Sequence, residues 1–256
     1  MNKRIVMLTS YCFSTIVLYN YLSRSWKIDR VITEDPMRGM VLAKRRLRKL
    51  GFFRVAGQVL FSVLIVPVLK LFSKKRIKEI KRQYPFDETE ISPEKITHFS
   101  SVNDNDCIAL LKELKPDIII VNGTRIISGK VLESTNATVI NMHAGITPKY
   151  RGVHGGYWAV VNNDSIHCGV TVHEVDKGID TGAVLYQSLI TVTGKDNFVT
   201  YPFLQFGEGI FLMDKAVDDI TKNKLTARKP MTAESKLWYH PTIWQYVYHR
   251  VFRNKK

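Results

Sequence analysis

Short apolar runs alternate with helical segments along much of the chain. The runs are bounded by polar or charged residues and two of them are rich in β-branched side chains, which is typical of buried strands. Residues 14–23 are expected to form a helix after the first strand. Residues 104–114 have apolar positions at helical spacing and follow a Ser-Val-Asn-Asp cluster that can cap a helix. The predicted strands are residues 4–8, 29–33 and 117–121.

Because strands and helices alternate, the predicted fold class is α/β, with an open, mostly parallel twisted sheet. Ligands of such sheets bind at the carboxyl ends of the strands. A further strand over residues 137–143 ends in Asn141 and His143. Residues 169–175 and 182–187 follow as a pair of strands around a glycine-containing turn. The carboxyl end of strand 137–143 is therefore a candidate site.

One segment breaks the alternation of strands and helices. Residues 43–84 carry thirteen Lys and Arg against one acid, Glu79, while the whole chain has a net charge of +15. Residues 55–69 in its middle carry no charge, but they are few for a bilayer span and include Gln58 and Pro67. We expect a helical insert that docks on the domain or on a second subunit, as in a homodimer. Contact with an anionic membrane is the main alternative, and nucleic acid is the least favoured partner.

The two ends of the chain and its cysteines bear on the compartment. The basic and apolar N-terminus imitates a secretory signal, but polar residues interrupt the run and no small-residue cleavage site follows, so a strand and a helix are favoured. Three cysteines without paired spacing favour a reduced, cytoplasmic setting, with peripheral attachment at the inner face of the membrane as an alternative, and no metal site is expected. One main domain is expected over residues 1–230, with the basic, apolar helical insert counted as 43–90. The aromatic segment 231–256 is expected to pack back on the core, a stacking or partner surface being the alternative.

The polar residues at the end of the strand that finishes at His143 can do chemistry. Asn141 and His143 point to the same face because strand side chains alternate. An amide N–H is a good oxyanion donor, and an imidazole can donate a hydrogen bond or move a proton near neutral pH. The alternative is that these two side chains only form hydrogen bonds with the backbone of the following loop. Asp180 lies in a turn flanked by Gly178 and Gly182, and such a turn can curl over the strand end. Together the three side chains suit transfer of a carbonyl group to an amine.

These motifs, taken in order, resemble the folate-dependent formyltransferases, the family of the glycinamide ribonucleotide and methionyl-tRNA enzymes. That family has a strand ending in Asn-x-His, then a Leu-Pro-Lys-Tyr-Arg-Gly-like loop, then an Asp-x-Gly turn. This chain has Asn141-Met-His143, Thr147-Pro-Lys-Tyr-Arg-Gly152 and Asp180-Thr-Gly182. The resemblance covers residues 95–228 and implies a Rossmann-like formyltransferase fold.

The resemblance also implies N10-formyltetrahydrofolate as the formyl donor, without a metal. Asn141 and His143 would stabilise the oxyanion of the tetrahedral intermediate. Asp180 would manage protons and hold His143 and a water in place. Two loops would line the pterin pocket, and the residues they contribute are Gly123, Arg125, Ile127, Val175, Asp176 and Gly178.

Among the members of this family, the chain most resembles the nucleotide-sugar N-formyltransferases. In the purine enzyme the first strand runs into a glycine-rich phosphate loop, whereas residues 9–14 contain no glycine. The methionyl-tRNA enzyme has a C-terminal domain that helps to bind tRNA, and few residues follow Asp180 here. An anionic amino sugar nucleotide for surface polysaccharide synthesis is therefore the expected acceptor. Alternatives are a ribotide or another amine, and a membrane- or nucleic-acid-binding protein on the same fold. The expected substrate-binding residues are Lys149, Arg151, His154 and Tyr157. The alternatives are that Lys149 and Arg151 stabilise their loop and that Tyr157 packs at the start of a helix. His173 is expected in the core or the pocket wall.

Overall fold

The computed structural model describes residues 3–37 and 39–255. The strands are β1 (Ile5–Ser10), β2 (Ile28–Glu34), β3 (Ile96–Phe99), β4 (Ile118–Asn122), β5 (Thr138–His143), β6 (Arg151–Gly152), β7 (Gly169–Glu174), β8 (Val184–Leu189) and β9 (Leu237–Trp238). The α-helices are α1 (Phe13–Leu22), α2 (Gly39–Leu50), α3 (Phe52–Leu60), α4 (Val66–Gln83), α5 (Asn105–Leu114), α6 (Gly129–Leu132), α7 (Gly155–Val161), α8 (Tyr201–Thr221) and α9 (Ile243–Phe252). A π-helical turn, Phe61–Ile65, joins α3 to α4.

Seven strands form one sheet in the order β3-β2-β1-β4-β5-β7-β8. The first five strands of that order run parallel to one another, whereas β7 pairs antiparallel with both β5 and β8. The short strands β6 and β9 pair separately. The predicted open, mostly parallel α/β sheet is confirmed, and each predicted strand bound lies within two residues of the observed one.

Both faces of the sheet are covered, and β1 shows this directly. Its side chains Ile5 and Met7 join a buried cluster with α1 and α8. Val6 and Leu8 point to the other face and pack with α5 and α6. A strand that is buried on both faces needs an apolar residue at nearly every position. This explains why the strands appear in the sequence as continuous apolar runs.

The basic segment is helical, as predicted, and one of its faces docks on the domain. Phe61 is fully buried, with its ring centroid 4.8 Å from that of Phe198 and 5.0 Å from that of Tyr246 on α9. Arg76 on α4 pairs with the buried carboxylate of Asp196 at 2.8 Å. These contacts fix the insert and α9 against the same part of the domain.

Strand β3 and helix α8 are among the elements that were not predicted. β3 is a short strand at the edge of the sheet. In α8, Gly207 and Gly209 lower the helix propensity. A side chain at either position would collide with a neighbour, because a Cβ would lie 2.5 Å from the Tyr84 ring and 2.4 Å from the Met142 sulfur. The glycines of α8 therefore reflect close packing of the helix, which a sequence pattern does not reveal.

Candidate active site

The candidate site lies at the carboxyl end of β5. Asn141 lies opposite Val121 of β4 on one side and opposite His173 of β7 on the other. The turn between β7 and β8 carries Asp180 back to His143. The structure thus brings together the three side chains that the sequence singled out for chemistry.

Asp180 is the acid of this cluster. Its backbone lies in the left-handed region, with φ of 51°, and its Oδ2 accepts a hydrogen bond from the Gly152 N–H at 2.8 Å. Oδ2 lies 3.3 Å from His143 Nδ1, and Oδ1 lies 3.6 Å from His173 Nε2. Burial on its own raises the pKa of Asp180, but the neighbouring imidazole of His143 and the Gly152 N–H outweigh it and lower the pKa to about 2. The carboxylate is therefore ionised at neutral pH.

His143 is buried between two acceptors. Its Nε2 lies 2.7 Å from the carbonyl oxygen of Tyr150, and its Nδ1 faces Asp180. Because a carbonyl can only accept, Nε2 carries a proton. Burial lowers the pKa of His143, and the Asp180 carboxylate and the Tyr150 carbonyl oppose that effect. Only the imidazolium donates to both acceptors, so a proton taken up by His143 finds its hydrogen bonds already in place.

Asn141 is oriented by His173. His173 Nδ1 lies 2.6 Å from the carbonyl oxygen of Glu174, so Nδ1 carries the proton and Nε2 accepts. The Asn141 amide nitrogen lies 3.2 Å from that Nε2. One N–H of the amide is used in this contact, and the other is left for a ligand. The prediction of His173 as core or pocket wall missed this contact, which depends on the register of β5 against β7.

A cleft of about 500 Å³ opens beside these side chains. Gly123, which follows β4, has φ of 71°, a conformation that glycine adopts without strain. The loop after β4 and the turn after β7 form one side of the cleft. All six residues expected to line a pterin pocket are found on its wall: Gly123, Arg125, Ile127, Val175, Asp176 and Gly178.

Two of these residues have charged side chains that are held by the protein. Arg125 pairs with the buried carboxylate of Glu34, Nε to Oε2 at 2.7 Å. Asp176 Oδ1 accepts hydrogen bonds from the Gly178 N–H at 2.9 Å and from the Thr181 hydroxyl at 2.7 Å. Both side chains are therefore held within the protein, and their contacts fix the shape of the two loops.

The two cations expected to bind the acceptor are not among the residues of the cleft wall. Lys149 Nζ is 2.9 Å from Asp164 and 3.0 Å from Glu234, and these carboxylates hold it away from the site. Arg151 Nη1 donates to the carbonyl of Ile179 at 3.1 Å. Arg151 therefore anchors the turn that carries Asp180.

His154 and Tyr157 are also absent from the cleft wall. Tyr157 is 1% exposed and belongs to a buried aromatic cluster with Phe198. His154 packs 4.5 Å from the same Phe198 ring, and burial lowers its pKa to about 3. Both residues stabilise the core behind the site, and the sequence could not distinguish a buried aromatic turn from a sugar-binding one.

The insert also contributes residues to the wall of the cleft. Arg46 and Lys49 of α2 line it together with Tyr239. Lys49 Nζ and the Arg54 guanidinium lie 5.5 and 5.6 Å from the centroid of the Tyr239 ring. No local signal connects the insert to the catalytic motifs, so these cations were not predicted. Within residues 3–37 and 39–255, no group of three His, Cys, Asp or Glu side chains could hold a metal ion.

Comparisons with known proteins agree with this architecture. A family model described as formyl transferase matches residues 66–202. Methionyl-tRNA formyltransferase of Thermodesulfovibrio yellowstonii is 35% identical over 143 residues, which are 56% of this chain and 45% of that protein. The chain thus spans less than half of that relative.

Solved structures share the fold at low identity. A sugar N-formyltransferase from a Shewanella species superposes with a TM-score of 0.56 at 15% identity, covering 91% of this chain and 75% of that one. Phosphoribosylglycinamide formyltransferase of Anaplasma phagocytophilum superposes with a TM-score of 0.59 at 14% identity, covering 94% of this chain and 100% of that one.

Proposed function

The chain belongs to the formyl transferase family, and from this premise we propose that it transfers a formyl group from N10-formyltetrahydrofolate to a primary amine. The proposal rests on one observation: Asn141, His143 and Asp180 lie together on the wall of the cleft. The reaction takes place in the cytoplasm, where the free cysteines Cys12, Cys107 and Cys168 suit a reducing compartment.

The free N–H of Asn141 is the oxyanion donor. The amine nitrogen attacks the formyl carbon, and the carbonyl electrons move to its oxygen. A donor aimed at that oxygen typically contributes a factor of about 10²–10³ in turnover. His173 already holds the Asn141 amide at 3.2 Å, so the donor does not have to reorient as charge develops.

The His143–Asp180 pair moves the proton. When the tetrahedral intermediate collapses, the bond from carbon to N10 breaks, N10 gains a proton and the amine has lost one. His143 takes up the amine proton as an imidazolium that donates to Asp180 and to the Tyr150 carbonyl, and then releases it for N10. One proton thus passes from acceptor to donor, and the residues end in their starting state.

The donor binds against the loop after β4 and the turn after β7. A pterin ring presents several donors and acceptors in one plane, which suits loop backbone groups. The left-handed backbone at Gly123 lets the loop approach a flat ring closely. The reaction as written requires no metal ion.

For the acceptor we propose an amino sugar linked to a nucleotide, made for surface polysaccharide. Arg46 and Lys49 supply positive charge on the cleft wall, and phosphate groups bind well to such cations. The Tyr239 ring beside them can cover the apolar face of a sugar. A second candidate is an aminoacylated tRNA, favoured by the 35% identity to a methionyl-tRNA formyltransferase and by the cationic insert.

The test is an acceptor panel assayed by mass spectrometry. Purified protein is given N10-formyltetrahydrofolate and one amine at a time: amino sugars linked to nucleoside diphosphates, glycinamide ribonucleotide, or methionyl-tRNA. We expect a formylated amino sugar, and a formylated methionyl-tRNA would select the second candidate. Asn136→Ala, an exposed amide before β5, is the control for Asn141→Ala. If Asn141→Ala is as active as this control, or no amine is formylated, the proposal is wrong.

A further inference from the structure

An exposed apolar stripe runs along the insert. Phe53 and Phe72 are 82% and 81% exposed, although both are large aromatic side chains. Exposed apolar patches of this extent on a protein surface usually mark an interaction site. The stripe consists of Phe52, Phe53, Val59, Leu60, Val63, Leu64, Val68, Leu71 and Phe72.

The stripe continues onto α9. Here Trp244, Tyr248 and Phe252 recur at helical spacing and are more than half exposed, while Tyr246 faces the core. Helices α3 and α9 touch at Gly57, where a Cβ would lie 2.6 Å from the Trp244 indole nitrogen. Only glycine allows this approach. The stripe on the insert and the exposed side chains of α9 form one surface, which we call the docking surface.

Positive charge surrounds the docking surface. Several exposed cations on α3 and α4 have no ion pair with any acidic residue that the structure describes. Arg76 and Lys81, which also lie on α4, do have acidic partners. More exposed cations follow on and after α9. The cations on α3 and α4 are Arg54, Lys70, Lys74, Lys75 and Lys78, and those of the C-terminal part are Arg250 and Arg253.

We propose that the docking surface seats the protein on an anionic phospholipid bilayer, with α3, α4 and α9 lying in the plane of the interface. An apolar face flanked by lysine and arginine has both features that such binding requires. The apolar side chains enter the boundary between headgroups and acyl chains, and the cations meet anionic headgroups.

A second copy of the chain fits this surface less well. A two-fold contact brings the same patch of both subunits together. The cationic rims would then face each other without described acidic partners, and like charges in contact repel. An anionic surface instead neutralises the rim.

A transmembrane orientation also fits less well. The helical segment Phe52–Gln83 is long and apolar enough by composition to cross a membrane. Its uncharged stretch, residues 55–69, is however only about 22 Å long at 1.5 Å per residue, against about 30 Å of hydrocarbon. Phe61 and Ser73 on its other face are buried against the domain. A helix held along one side of a domain lies on a bilayer more readily than it crosses one.

The docking surface adjoins the cleft. Lys49 lines the cleft, and Phe52, three residues later, begins the stripe. The cationic wall of the cleft therefore lies beside the bilayer when the protein is docked. The binding itself does not depend on which amine is formylated.

The first test removes apolar side chains. Co-sedimentation is measured with phosphatidylglycerol vesicles and with phosphatidylcholine vesicles. Phe53→Ser combined with Phe72→Ser should lower partitioning onto the anionic vesicles at least about tenfold, since each phenyl ring loses most of its transfer free energy. The control is Ile166→Ser, which removes a 69% exposed apolar side chain outside the docking surface and should bind as the wild type does.

The second test removes charge. Lys74→Gln, Lys75→Gln and Lys78→Gln together should lower binding to anionic vesicles about a hundredfold, because each lysine near the surface contributes about fivefold. A matched triple variant, Lys112→Gln, Lys130→Gln and Lys224→Gln, makes the same change in net charge elsewhere and should bind normally. Raising the salt from about 0.1 M to about 1 M should weaken wild-type binding, since it shortens the Debye length about threefold.

Three results would overturn the proposal. One is absence of binding to anionic vesicles by the wild type. Another is a dimer in light scattering that Phe53→Ser with Phe72→Ser converts to monomer. The third is protein that resists extraction by alkaline carbonate, which indicates a spanning helix. Asn141→Ala should bind vesicles as the wild type does, so failure of the catalytic proposal and failure of this one are separable.

Discussion

The substitution Asp180→Asn removes the negative charge of this side chain and keeps its shape. The neighbours of Asp180 lower its pKa from the usual 3.8 to about 2. Each pKa unit is worth about 1.4 kcal/mol, so the ionised form is favoured in the folded protein by about 2 kcal/mol. The side chain is only 13% exposed, so solvent screening removes little of this. We expect the variant to be less stable than the wild type by about 2 kcal/mol at pH 6.

The pH dependence of this difference has a definite sign. A carboxyl group with a depressed folded-state pKa stabilises the protein above its unfolded pKa of 3.8, and that stabilisation is lost as the pH falls through the folded value of about 2. The advantage of the wild type should be about half as large near pH 3 and small near pH 2.

Urea unfolding across this pH range measures the difference. Glu113→Gln, a charge removal on the exposed side of α5, is the control and should change stability by less than about 0.5 kcal/mol. A stability loss for Asp180→Asn that is the same at pH 3 and pH 6 would refute the assignment of the pKa shift. In the formyl transfer assay, turnover should fall about 10²-fold or more because the imidazolium of His143 loses its charged acceptor. Unchanged turnover would refute the role of the pair.

Three further predictions concern the same cleft. Asn141→Ala and His143→Ala should each lower turnover about 10²-fold while circular dichroism stays unchanged, and near-normal turnover in both would contradict the chemistry. His173→Phe should lower kcat more than it changes KM, because Asn141 loses its acceptor. His173→Gln should restore part of kcat through its amide oxygen, and equal kcat values for the two variants would speak against a positioning role. A reduced folate at about 100 times its Kd should stabilise the protein by about 2.7 kcal/mol in thermal unfolding, and a flat Tm would count against folate binding.

Local sequence patterns were sufficient to predict the strands and the turn that carry the residues of the site. The buried strands are apolar at successive positions because both faces of the sheet are covered, so their positions and type were predictable. Asn141 and His143 stand two residues apart at the end of one strand, and strand geometry alone puts them on one face. The glycine-flanked turn likewise indicated that Asp180 could reach the strand end.

Tertiary structure decided the neighbours of these residues. His173 orients Asn141 only because β7 pairs antiparallel with β5 in one register. Lys149 and Tyr157 follow the catalytic motif closely in sequence, yet one is held by carboxylates and the other is buried. The direction in which such a side chain points depends on elements far away in the chain.

The insert also has some features that its sequence predicts and others that only tertiary packing decides. Composition predicted a basic helix with an apolar stretch, because charge and hydropathy are properties of the residues themselves. Which face docks, and that α9 meets it at Gly57, follows from packing between segments that lie almost two hundred positions apart in the chain. Side-chain pattern sets which elements form, whereas contacts between distant elements set which surfaces remain exposed, and only the folded chain contains those contacts.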